Sequence, residues 1–121
     1  ALAMAVTCDI HPLGNLRVLH QLEAQFGANE EQRAEWSRYW IGTGFRAIEV
    51  MLGDNVATGR YCHGETPSMA DACLIPQVYN ALRCKLPMDD YPTISRIYRS
   101  CNELEAFQRA APEAQPDAPQ S

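Results

Sequence analysis

The sequence has little positive charge and no long hydrophobic run. Ten Lys and Arg residues stand against fifteen Asp and Glu residues in 121 positions, so the formal net charge is −5. This balance excludes the broad basic surface that nucleic acids and anionic membranes require. No apolar run approaches the roughly 18 residues of a membrane span, and the apolar N-terminal residues lack the basic flank of a signal peptide. We therefore predict a soluble, cytoplasmic protein without nucleic-acid or membrane partners.

The five cysteines lack the spacing of a metal site or a disulfide framework. They are odd in number, widely separated and without a Cys-x-x-Cys pair. We interpret them as reduced thiols that mostly fill the core, and we predict no metal site. Cys62 next to His63 is consistent with a thiolate and its base, but adjacent side chains rarely face each other, so a structural role is favoured.

Strand-like alternation is also missing, whereas helical periodicity runs through most of the chain. We predict an all-α bundle of about five to six helices over residues 1–110, followed by a Pro-rich extended or disordered tail over 111–121. Pro12 predicts a break near His11, between a helical stretch over residues 1–10 and a second one from about residue 13 to residue 26. Gly27 predicts the end of that second helix, Asn29 the cap of the next one, and Pro92 the first turn of a later helix. No capping residue precedes the first helix, so we expect a chain cut from a longer one.

Two apolar patterns predict the core. The stripe that recurs every fourth residue from 36 to 52 predicts the deepest core, and Leu19, Leu22 and Phe26 share one face of the preceding helix. The segment GTGFRA, residues 42–47, matches a dinucleotide-binding pattern but lies in the middle of a helix. Since that motif works only between a strand and a helix, we interpret its glycines as positions of close helix packing.

The segment GETPSMADACLIPQV, residues 64–78, combines a helix start with a helix breaker. Ser68 is a good N-cap, and Asp71 can accept a hydrogen bond from the Ser68 N–H in return, which makes a capping box. Pro76 lacks the N–H that would bond the carbonyl of Ala72, so we expect a bend. These residues alone predict only a well-capped, bent helix.

The same segment resembles the start of the central helix in the all-helical C-terminal domain of cytosolic glutathione transferases, where the pattern S-x-A-D is general. The segments CDIHPLGNLRVL, LIPQVYNALR, YPTISRI and LEAFQRAAPEAQPD narrow the resemblance to the zeta class, the maleylacetoacetate and maleylpyruvate isomerases. The resemblance covers essentially all 121 residues. In that family a thioredoxin-like domain precedes this one, and nothing in the present sequence resembles it.

The resemblance implies the substrate-side domain of a homodimeric, glutathione-dependent cis–trans isomerase. Its substrate would be a small dicarboxylic keto acid of aromatic or tyrosine catabolism, and its cofactor glutathione. The residues that activate the thiolate are expected in the other domain, so this chain alone is expected to be inactive. The resemblance also implies that His11, Asn15, Arg83 and, more weakly, Arg17 bind glutathione or substrate, with Arg83 holding a substrate carboxylate.

Each of these residues also has a structural interpretation. Arg83 suits the end of a helix as a surface cation, His11 can cap the carbonyls freed by the break, and Asn15 can cap the next helix. At the level of the whole protein, a general glutathione transferase and a non-catalytic, transferase-like interaction module remain as alternatives. The sequence does not separate maleylacetoacetate from maleylpyruvate as the substrate.

Overall fold

Six α-helices form the bundle in the computed structural model, which describes residues 1–119. In chain order they are α1 (Leu2–Met4), α2 (Leu16–Phe26), α3 (Glu30–Asp54), α4 (Met69–Arg83), α5 (Pro92–Asn102) and α6 (Glu105–Ala110). No β-strand occurs in the described part of the chain. The prediction of an all-α bundle with about five to six helices is confirmed.

The predicted break near His11 is present as a change of helix type. Helix α1 continues as a wider π-helical segment over Ala5–Ile10, and then tightens into a 3-10 turn over His11–Gly14. The indole N–H of Trp36 donates to the carbonyl of Leu13 at 2.7 Å. This bond fastens the 3-10 turn to helix α3, so the segment around His11 has a defined position.

Asn15 separates the 3-10 turn from α2. Its side-chain oxygen accepts a hydrogen bond from the backbone N–H of Arg17 at 3.0 Å, so it is the N-cap of α2. The helix therefore begins at residue 16, and the expected start at residue 13 is wrong because the 3-10 turn intervenes. Gly27 ends α2 in the left-handed conformation with φ of 66°, and Asn29 caps α3, both as predicted.

Helix α3 supplies the centre of the core through its C-terminal half. Phe45, Ile48 and Leu52 are at most 1% exposed, and they pack with apolar side chains of the other helices. The stripe is shallower at its N-terminal end, where the two tryptophans are only half-buried. Helix α2 has no buried residue, and Phe26 is 72% exposed, so the predicted apolar face of α2 is not part of the buried core.

Gly44 marks a close approach between α3 and the π-helical segment. A Cβ atom at this position would lie 2.3 Å from side-chain carbons of Ile10, which is itself 1% exposed. Gly42 is also buried, beside Leu86 and Tyr91. The interpretation of the GTGFRA segment as a helix-packing motif is therefore confirmed.

The capping box predicted for α4 is present, and its Asp71 side chain is completely buried. The carboxylate of Asp71 accepts from the backbone N–H of Ser68 at 2.8 Å and from the Ser68 hydroxyl at 3.1 Å. It also accepts from the backbone N–H of Cys62, at 2.9 Å, and so ties the preceding loop to the helix. From this cap α4 continues through Pro76 to Arg83 without interruption.

The segment after α6, for which the sequence predicts an extended or disordered tail, contains turn structure. Pro112–Ala114 form one 3-10 turn, and further turn hydrogen bonds follow up to Ala118. The last two residues of that predicted tail, 120 and 121, lie outside the described residues. Within residues 1–119 no helix is long and apolar enough to cross a bilayer, and no cluster of His, Cys, Asp and Glu side chains is arranged to hold a metal ion.

Candidate functional site

A groove runs along the C-terminal half of α4. Its apolar lining includes Ile75 and Pro76 of α4 and Phe107 of α6, while its polar lining includes Tyr79 and Arg83. Tyr98 of α5 and residues of the segment after α6 complete the walls. Because Tyr79, Pro76 and Arg83 are three to seven positions apart on one helix, the helical repeat brings them to neighbouring places on the same face.

Arg83 is the cation of this groove and lies in the last turn of α4. Its guanidinium carbon lies 6.0 Å from the ring centroid of Tyr79, a distance typical of a cation–π contact. Among the ion pairs of the described residues, none includes Arg83. The guanidinium donors are thus available to a carboxylate, which Arg can bind with two parallel hydrogen bonds.

Tyr79 adds a hydroxyl group next to this cation. A hydrogen bond to the carboxylate of Glu113, with partial burial and the charge of Glu113, raises the pKa of Tyr79. The phenol therefore remains protonated at neutral pH and is a hydrogen-bond donor. An arginine and a phenol side by side are suited to binding a carboxylate or a developing enolate oxygen.

His11, Asn15 and Arg17 do not line the groove that contains Arg83. His11 begins the 3-10 turn and is exposed, and Arg17 is exposed in the first turn of α2. Asn15 serves as the cap of α2, which confirms its structural interpretation and leaves its amide NH₂ group for other partners. Within the described residues, the predicted binding set is therefore divided between two places.

The buried thiols of Cys62 and Cys101 favour the protonated, unreactive form. Burial, followed by the negative charge of Asp71, raises the pKa of Cys62 well above its usual range and that of Cys101 to about 12. The Sγ of Cys101 lies 3.8 Å from Oδ1 of Asp71. Burial of Cys62 therefore opposes a thiolate with His63 as its base and supports the structural interpretation of these two cysteines.

Sequence reasoning missed most of the groove lining, including Tyr79, Tyr98, Phe107 and Glu113. Tyr79 had a local signal, since it precedes Arg83 by four positions on a predicted helix. The other three come from α5, α6 and the segment after α6, whose placement against α4 depends on tertiary packing. No spacing in the sequence connects them to Arg83.

The chain matches known proteins over nearly its whole length, although no protein-family model matches it. It is 47% identical over 98% of its residues to a maleylpyruvate isomerase of Ralstonia sp, of which it covers 56%. It is also 47% identical over 98% of its residues to a probable maleylacetoacetate isomerase of Vibrio cholerae, of which it covers 54%. The chain thus spans about half the length of the curated relatives it matches.

Solved structures give the same result. The holo structure of a maleylpyruvate isomerase, a bacterial zeta-class glutathione transferase, superposes with a TM-score of 0.95 at 46% identity, over 98% of this chain and 56% of that one. A maleylacetoacetate isomerase of Methylobacterium extorquens AM1, solved with bound malonate and glutathione, superposes with a TM-score of 0.92 at 37% identity, over 98% of this chain and 56% of that one.

These findings define the chain first as an all-helical domain of the glutathione transferase fold. More particularly, it is a homologue of the zeta-class glutathione transferases, and its relatives there are maleylpyruvate and maleylacetoacetate isomerases. The resemblance noted in the sequence is confirmed.

Proposed function

We propose that this domain forms the substrate side of a glutathione-dependent cis–trans isomerase that acts on maleylpyruvate or maleylacetoacetate. The observation that carries the proposal is the homology to these isomerases over 98% of the chain. The groove around Arg83 supports it, because the substrates are short dicarboxylates and this groove combines a cation with an apolar floor.

In this reaction the glutathione thiolate adds to the conjugated double bond, the resulting single bond rotates, and elimination of the thiolate gives the trans isomer. Negative charge collects on the enolate oxygen when the thiolate adds, so donors placed at that oxygen lower the barrier. We assign Arg83 to a substrate carboxylate and Tyr79 to a neighbouring oxygen. Glutathione is the cofactor, and the residues that activate its thiolate are expected in the thioredoxin-like domain of the family.

His11, Asn15 and Arg17 stay in the proposal as a second group, in contact with glutathione or the far end of the substrate. Their distance from the groove of Arg83 is consistent with two binding partners, a thiol and a dicarboxylate. Asn15 would use its free amide N–H groups, since its side-chain oxygen is engaged in capping α2. A rise in the KM for glutathione on His11→Ala, with the KM for the keto acid unchanged, would support this division.

The decisive experiment replaces Arg83 by Gln in the full-length protein and measures isomerisation of maleylpyruvate with saturating glutathione. Loss of the charged hydrogen bonds of one guanidinium is expected to lower kcat/KM by about 10- to 150-fold. Arg99→Gln is the matched control, because Arg99 is an exposed arginine in the last turn of α5 that does not line the groove. Equal activities of the two variants would remove Arg83 from the mechanism.

The same assay with maleylacetoacetate determines which keto acid is preferred, and a general electrophile tests the alternative of a broad glutathione transferase. Size-exclusion chromatography of the full-length protein tests the proposed homodimer. Turnover of a general electrophile that exceeds turnover of both keto acids would favour the broad transferase.

A further inference from the structure

The last turn of α4 ends in a backbone conformation that glycine usually provides. Lys85 follows the C-cap residue Cys84 and lies in the left-handed region, with φ of 61°. Its N–H donates to the carbonyl of Leu82 at 3.0 Å, and the N–H of Leu86 donates to the carbonyl of Ala81 at 2.9 Å. Because a residue with a Cβ atom disfavours the left-handed conformation, further contacts are needed to hold this turn.

Arg38 of α3 supplies such a contact. Its Nη1 donates to the carbonyl of Cys84 at 2.7 Å, across 46 positions of the sequence, and its Nη2 pairs with the carboxylate of Glu31 on the same helix. The Glu31 side chain is 74% exposed, so the ion pair contributes little, and the part-buried bond to Cys84 is the more important one. Arg38 therefore joins α3 to the turn that ends α4.

The position of this turn determines where Arg83 lies in the groove. Arg83 directly precedes Cys84, and its guanidinium lies over the ring of Tyr79, one helical turn earlier on the same face. Helix ends fray more readily than helix centres, so loss of the bond to Cys84 would let the last turn of α4 open. An open turn would no longer keep Arg83 beside Tyr79 in the orientation that a bound carboxylate requires.

We propose that Arg38 is a positioning residue of the ligand site, which holds the last turn of α4 and so directs Arg83 into the groove. The inference rests on the function proposed above, in which Arg83 binds a substrate carboxylate. Arg38 does not line the groove, so it acts on the ligand only through α4.

The test replaces Arg38 by Met in the full-length protein, which keeps an unbranched apolar stem and removes every N–H donor of the side chain. With saturating glutathione, the KM for maleylpyruvate is expected to rise about three- to tenfold while kcat stays the same, because only a fraction of the molecules then hold Arg83 in place for binding. The KM for glutathione, measured with saturating maleylpyruvate, should not change.

Arg33→Met is the matched control, because Arg33 makes the same two kinds of contact at another place on α3. Its Nη1 donates to the carbonyl of Ala28 at 2.7 Å and lies 3.2 Å from the carboxylate of Glu23. These contacts hold the connection between α2 and α3. Arg33→Met should lower the urea midpoint about as much as Arg38→Met and leave the KM for maleylpyruvate unchanged. Equal KM values in the two variants would overturn the proposal.

A double variant identifies the route of the effect. If Arg38 acts through Arg83, adding Arg38→Met to Arg83→Gln should change the KM for maleylpyruvate by less than about twofold, since the group that is positioned has gone. A further rise of about three- to tenfold would overturn the proposal. Unchanged activity of Arg83→Gln alone would overturn the proposed function, whereas lost activity of Arg83→Gln with an unchanged KM in Arg38→Met would overturn only the role of Arg38.

Discussion

The buried carboxylate of Asp71 should be the most sensitive polar group of the fold. It is completely buried, and its two oxygens accept from the N–H groups of Cys62 and Ser68 at 2.9 and 2.8 Å. Hydrogen bonds to charged groups contribute about 1.5–3 kcal/mol each. Asp71→Asn keeps the shape but turns an N–H group of the new amide toward one of these donors. We expect a loss of about 2–4 kcal/mol in the free energy of unfolding.

The assay is urea unfolding of the 121-residue chain, followed by circular dichroism at the helical signal. Ser68→Ala is the control, since it removes the Ser68 hydroxyl but leaves both backbone N–H bonds to the Asp71 carboxylate in place, and it should cost about 1 kcal/mol. Equal losses in the two variants would refute the reasoning, because they would mean that Asp71 acts only as a local cap and that its bond to Cys62 adds nothing.

The remaining predictions concern packing, thiol reactivity and ionisation. Gly44→Ala should lower the free energy of unfolding by about 1–3 kcal/mol through the clash with Ile10, whereas Gly53→Ala, with open space around it, should raise it by about 0.5–1 kcal/mol. A thiol reagent at pH 7.5 should modify exposed Cys8 but not Cys101. The urea midpoint should fall as the pH rises from about 9 toward 12, because the Cys101 thiol ionises at a lower pH in the unfolded chain than in the folded one. In Cys101→Ala the midpoint should fall less steeply over the same pH range.

The sequence predicts those parts of the fold that depend on neighbouring residues. The caps at Asn29 and at Ser68 with Asp71, the stop at Gly27 and the Pro92 start of α5 are all present. Each is a contact within a few positions, so the residue type itself indicates the geometry. Propensity could not place the start of α2, because the 3-10 turn before it is held by a tryptophan of another helix.

Contacts between segments that are distant in the sequence could not be predicted from local residue types. Helix α5 has no capping side chain of its own, and the carboxylate of Glu49 on α3 accepts from the N–H groups of Thr93 and Ile94 at 2.7 and 3.0 Å. The ion pair of Glu103 with Arg60 has the same character, since 43 positions separate them. Both pairings follow from how the helices pack, and no local pattern marks either acid.

Helix α4 carries both the buried cap at Asp71 and the proposed ligand site at Arg83, which lie far apart along it. Asp71 and Arg83 are twelve positions from each other in one helix, or about 18 Å by the helical rise. Groups this far apart without shared partners act additively. Asp71→Asn should therefore lower the urea midpoint and leave kcat/KM of the folded full-length protein unchanged. Arg83→Gln should lower kcat/KM and leave the urea midpoint unchanged. A loss of kcat/KM on Asp71→Asn in protein that is still folded would mean that strain at the buried cap reaches the groove through the helix, past Pro76.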